Sequence, residues 1–100
     1  MILSLHGYSV TAAHDAEEAL HILPRARFDL LVTDVIMPGR SGVELAEIAC
    51  ALYPGMPVLF VSGYAWDELV RTRRLSRDAP FLRKPYRNEE LLKMVSSALA

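Results

Sequence analysis

The chain has 100 residues, 52% of them hydrophobic, and sets eleven Lys and Arg against twelve Asp and Glu for a net charge of -1. That length holds one domain with one core, the apolar share exceeds the usual ~45–50%, and the charge balance gives no overall field toward nucleic acid or an anionic membrane. No stretch approaches the ~20 apolar residues that span a bilayer, and a lone Cys50 excludes an internal disulfide or a zinc site built from cysteines.

In chain order, Leu5-His6-Gly7-Tyr8 reads as a helix closing on a left-handed glycine. Tyr8 to Ala12 alternates like a short strand, and Asp15 with Glu18 three residues on forms a capping-box start for a helix through about Leu23, ended by Pro24. Leu30-Leu31-Val32-Thr33 is a near-continuous apolar run ending at Asp34, the pattern of a strand covered on both faces. Val35 to Gly42 is expected to be loop. A helix is predicted from Val43 to about Leu52, with Leu45, Ile48, Ala49 and Leu52 on one face, stopped by Tyr53-Pro54-Gly55.

Pro57 to Val61 is a second buried-strand run, followed by the turn signal Ser62-Gly63. A weaker helix is predicted from Trp66 to about Leu75, then a very short strand at Phe81-Leu82 before Lys84-Pro85. Asn88 is predicted to cap a last amphipathic helix carrying Leu91, Leu92, Val95 and Leu99. Strands alternating with helices call for parallel pairing and right-handed crossovers, hence an α/β doubly wound parallel sheet across residues 1–100.

In such a sheet the strand ends share one edge, where ligands bind at a switch in strand order. Asp34, Ser62 and Lys84 close or follow the three apolar runs, so an acid, a hydroxyl and a cation are delivered to one rim. A carboxylate can attack phosphorus to give an acyl phosphate, and fixed donors with a cation stabilise the charge on the equatorial oxygens. Each residue alone has a plainer reading: a turn-capping acid, a turn serine, a solvated edge lysine. Arg71, Arg73, Arg74 and Arg77 read as a solvated face, and His6, His14 and His21 lack metal-ligand spacing.

The motifs Gly7-Tyr8-Ser9-Val10, Glu18-Ala19-Leu20, Phe28 to Pro38, Gly42, Pro57 to Tyr64 and Phe81 to Tyr86 together resemble the receiver domains of bacterial two-component signalling. The resemblance implies a flavodoxin-like fold of strand order 2-1-3-4-5. It also implies that Asp34 is the phosphoacceptor, that Ser62, Gly63 and Lys84 bind the phosphoryl group, and that Ser62 and Phe81 act as the switch pair. Lys84-Pro85 is expected to be a cis peptide with Pro85 as its proline. Ile36 and Tyr64 fall at the positions that tune dephosphorylation, their bulk implying a long-lived phosphoryl group. Magnesium is the cofactor expected of the family, held by Asp34 and the Ile36 carbonyl together with an acidic pair on the family's first strand.

That first strand and most of the first helix are expected to be missing from this chain, so magnesium binding is expected to be impaired or absent. Asp15, Glu17 and Glu18 begin a helix and do not replace the pair. The consequence is two unpaired edges, on the Tyr8 strand and the Leu30 strand, read as a fragment or misplaced start, a rearranged four-strand sheet, or intermolecular strand pairing. The resemblance implies a histidine kinase or histidine phosphotransfer protein as donor and a cytoplasmic setting, with no direct nucleic acid or membrane partner. No output domain is expected after Ala100, and the parent is expected to be a stand-alone receiver or the receiver end of a hybrid histidine kinase. The alternative is a phosphorylation-independent interaction domain. An Asp-nucleophile phosphatase of the haloacid dehalogenase type would require a second Asp where Ile36 stands.

Overall fold

The computed structural model of the chain describes residues 2–36, 41–64, 66–72 and 79–100. Helix α1, Ile2–Leu5, ends at Gly7 with φ 88°. The Gly7 amide donates to the Ser4 carbonyl at 3.3 Å and the Tyr8 amide to the Leu3 carbonyl at 3.1 Å, the paired bonds of a Schellman closure. Leu3 is thereby turned into the core.

The strand expected over Tyr8 to Ala12 does not form: these residues have no regular secondary structure, and Ser9 to Ala13 are exposed. Alternation makes a segment fit for a strand, but a strand exists only through a ladder with a neighbour, and none of the described residues supplies one here. Helix α2, Ala16–Ile22, begins as its sequence implies, with the Glu18 amide donating to Asp15 Oδ1 at 2.8 Å. The Glu18 carboxylate reaches one residue further back than a capping box requires, to the His14 amide at 3.0 Å. Pro24 does not stop the chain at once; Leu23–Arg25 continues as one turn of 3-10 helix.

Strands β1 (Leu31–Asp34), β2 (Val58–Ser62) and β3 (Phe81–Arg83) form one parallel sheet in that order. Register pairs Asp34 with Val61, and Ser62 with Arg83. Between β1 and β2 runs α3, Gly42–Leu52, whose first turn is capped by Ser41 Oγ accepting the Glu44 amide at 3.1 Å. Its buried face is Leu45, Ala46 and Ala49; Leu52, expected on that face, is the last residue of the helix and is 47% exposed. Gly55, with φ 84°, turns the chain back into β2.

Helix α4 covers Trp66–Arg71; the rest of the predicted helix, with Arg73, Arg74 and Arg77, lies outside the described residues, as do Met37 to Arg40. Helix α5 is Asn88–Leu99. Asn88 is its first helical residue rather than its cap, and the carboxylate of Glu90 instead accepts the Arg87 amide at 3.1 Å.

Two apolar layers cover the sheet except at Val32 of β1, which is 37% exposed, so the strand expected to be covered on both faces is open on one of them there. On one face Leu3, Leu91 and Val95 pack against Leu59, Val61 and Leu82. On the other, Val35, Ala46, Phe60 and Leu69 form one cluster, and Ala16, Leu23, Leu45, Ala49 and Met56 form another that ties α2 to α3. Both layers exist because β2 alternates its side chains between them: Leu59 and Val61 to one side, Phe60 to the other.

Candidate phosphoacceptor site

Because the three strands are parallel, their carboxyl ends share one rim, and that rim holds the expected residues. Asp34 is the last residue of β1 and Ser62 the last of β2. Lys84 follows β3, and its amide donates to the Ser62 carbonyl at 2.7 Å, extending the ladder by one bond. That bond sets the lysine beside β2 and within reach of β1. The Lys84 Nζ then lies 2.7 Å from Asp34 Oδ1.

Ser62 is buried, and its Oγ accepts the Tyr64 amide at 3.0 Å, a local turn bond. The peptide between Lys84 and Pro85 is cis. Gly63, Lys84, Pro85 and Tyr86 line a shallow open groove beside the ion pair. A Cβ added at Gly63 would meet nothing within 4 Å, so the space over the rim is open there. Ile36 and Tyr64 stand 38% and 50% exposed at the ends of β1 and β2. Phe81 is half-buried and packs against the Val35, Phe60 and Leu69 cluster.

Two residues acquire a place that the strand-end argument did not give them. The hydroxyl of Thr33, one residue before the acid, donates to the Asp34 carbonyl at 3.0 Å. Gly42 opens α3 against that same carbonyl, where an added Cβ would fall 1.7 Å from the oxygen, and its amide donates to the Val35 carbonyl at 2.8 Å. The signal was a glycine eight residues after the acid, at a position where the backbone comes too close for any side chain.

Among the described residues no three His, Cys, Asp or Glu side chains gather as a metal site. At the rim they offer the Asp34 carboxylate, already bonded to Lys84, and main-chain oxygen. Magnesium takes a near-octahedral oxygen shell, so these residues do not complete the site that the resemblance implies, and no step below passes through the metal. Asp15, Glu17 and Glu18 remain at the start of α2.

Comparison with known proteins agrees with this arrangement. The family model of the response regulator receiver domain matches residues 1–96. The response regulator receiver protein CpdR of Brucella abortus is 33% identical over 93 residues, covering 93% of this chain and 78% of CpdR. The next curated relatives are longer, and the chain spans only 20% and 48% of two of them. Among solved structures, the chemotaxis protein CheY4 of Vibrio cholerae matches with a TM-score of 0.85 and 31% identity over 98% of this chain and 83% of CheY4. The receiver domain of the hybrid histidine kinase CckA matches with a TM-score of 0.81 and 36% identity over 99% of this chain and 83% of that one. The observed order β1-β2-β3 reproduces the 3-4-5 side of the flavodoxin-like order. An acid, a hydroxyl and a lysine at the ends of three parallel strands, on a fold shared with these proteins along nearly its whole length, make this chain a member of the response regulator receiver domain family.

Proposed function

We propose that Asp34 accepts a phosphoryl group from the phosphohistidine of a histidine kinase or histidine phosphotransfer protein. A carboxylate oxygen of Asp34 attacks phosphorus, the phosphorus–nitrogen bond breaks, and its electron pair returns to the imidazole nitrogen. Lys84 is placed to shift from the carboxylate to the incoming phosphoryl oxygens, and Ser62 Oγ to exchange the Tyr64 amide for the same group. Phe81 follows through its packing with α4 and β2, which makes the chain a phosphoacceptor in signalling rather than a turnover enzyme. Ile36 and Tyr64 flank the acyl phosphate and slow its hydrolysis by limiting water.

The observation that carries this reading is the 2.7 Å pairing of Lys84 with Asp34 next to the end of β2. Similarity to the CckA receiver supports a phosphorelay setting with a hybrid kinase as parent, and the free thiol of Cys50 suits a reducing cytoplasm. The test is incubation with acetyl phosphate and magnesium, read by intact mass. A phosphoryl adduct that disappears in Asp34→Asn is the expected result.

A second reading is a phosphorylation-independent interaction domain. It is favoured by a single rim carboxylate that Lys84 already neutralises among the described residues. Absence of any adduct in the wild-type chain, with the fold intact, would select it.

A further inference from the structure

We propose that Thr33 and Gly42 are positioning residues that fix the direction of the Asp34 carboxylate by gripping the peptide that follows it. The proposal rests on Asp34 as the phosphoacceptor and concerns how it is aimed. In β1 the amides of Leu31 and Val35 donate to the carbonyls of Pro57 and Val61, so the odd-numbered residues face β2. Alternation then turns the Asp34 carbonyl to the opposite side of the strand, where the β1–β2 ladder supplies no donor. The Thr33 hydroxyl, itself buried, supplies one at 3.0 Å.

Gly42 closes the grip from the other direction. Its Cα rests so near the Asp34 carbonyl that a Cβ would stand 1.7 Å from the oxygen and 2.8 Å from its carbon, and 3.1 Å from Thr33 Oγ1. Its amide holds the next carbonyl, that of Val35, at 2.8 Å. Two successive peptides after the acid are thus fixed by one hydroxyl and by the first residue of α3. The backbone from which the Asp34 side chain leaves is held at both following peptides, which favours the orientation in which its carboxylate meets Lys84. Attack on phosphorus depends on such alignment, since a displacement of about 1 Å costs on the order of a hundredfold in rate.

The test compares wild type with Thr33→Val, which keeps the shape and removes the donor, and with Thr33→Ser, which restores it. Gly42→Ala is a poor probe because the clash can prevent folding. Thermal unfolding, the rate of Asp34 phosphorylation by acetyl phosphate, and the carbon-13 shift of the Asp34 carboxyl are measured for each. The expected result for Thr33→Val is a rate lower by about tenfold, part of the hundredfold that full misplacement costs, with a moved carboxyl shift and a melting temperature lowered by only about 4–8 °C for the one lost hydrogen bond, the chain staying folded at the assay temperature. Thr33→Ser should recover both rate and shift. A Thr33→Val chain with wild-type shift, or a rate loss matched by a loss of folded protein, overturns the positioning role. If wild type itself takes no phosphoryl group, the acceptor reading falls, while the carboxyl shift still decides whether Thr33 aims the side chain.

Discussion

The Lys84 ammonium lies 2.7 Å from Asp34 Oδ1 while the two side chains stay 45% and 39% exposed. An ion pair so open to water adds little stability, about 0–1 kcal/mol, and less in salt. In the proposed function its proximity serves the chemistry instead. Lys84→Gln is expected to leave the melting temperature almost unchanged and to slow phosphorylation by on the order of a hundredfold, the usual effect of deleting one charge-stabilising donor. A melting curve beside a rate with acetyl phosphate separates the two effects, and a large stability loss with an unchanged rate would sink this account.

Ser62 makes a different prediction because its hydroxyl is buried and already engaged. Ser62→Ala removes the acceptor of the Tyr64 amide, which lies close to water, so the stability cost should be no more than about 1 kcal/mol. The acyl phosphate should still form. Nitrogen-15 spectra would then show the Tyr64 amide moving on phosphorylation in wild type and staying put in the variant. Equal movement in both would mean that Ser62 does not report the event.

The sheet predicts its own weak point. Leu59 is completely buried in β2, the strand between β1 and β3, so Leu59→Ala should cost about 2–5 kcal/mol by lost burial plus the cavity left behind. Leu5, 81% exposed, should tolerate the same change within about 0.5 kcal/mol. Chemical denaturation of the two variants checks the contrast.

In the proposed function, Ile36 and Tyr64 are expected to bear on lifetime rather than formation. Replacing both by glycine opens the rim beside Asp34 to water, and the acyl phosphate should decay severalfold faster with little change in its rate of formation. Phosphate release followed by time-resolved mass spectrometry measures it. Identical decay in the variant would refute the shielding.

The strand ends were legible because apolar runs such as Leu30 to Thr33 and Val58 to Val61 carry their own signature, even though Val32 emerges exposed, and parallel pairing then brings their last residues together. What failed was non-local or terminal. Tyr8 to Ala12 has the alternation of a strand, yet pairing depends on a neighbour that local pattern cannot report. Leu52 and Leu99 continue a helical stripe to the last residue of their helices, where spacing alone cannot report whether a partner surface is present, and both emerge exposed. Asn88 has a cap's chemistry, but Glu90 two residues on can reach back to Arg87, which moves the helix start. The Thr33 bond to the next residue's carbonyl left no periodic trace, since it depends on which side of β1 that carbonyl faces.

The alternation along β1 also divides that strand in time. In the chain of 100 residues, the amides of Leu31 and Val35 are donated into β2, whereas those of Val32 and Asp34 point to the outer side. Deuterium should therefore replace hydrogen residue by residue in a comb, slow at 31, 33 and 35 and fast at 32 and 34, with β2 slow throughout. Neighbouring residues of a single strand would then report two different clocks: the opening of the whole sheet, and the passing touch of solvent at its border.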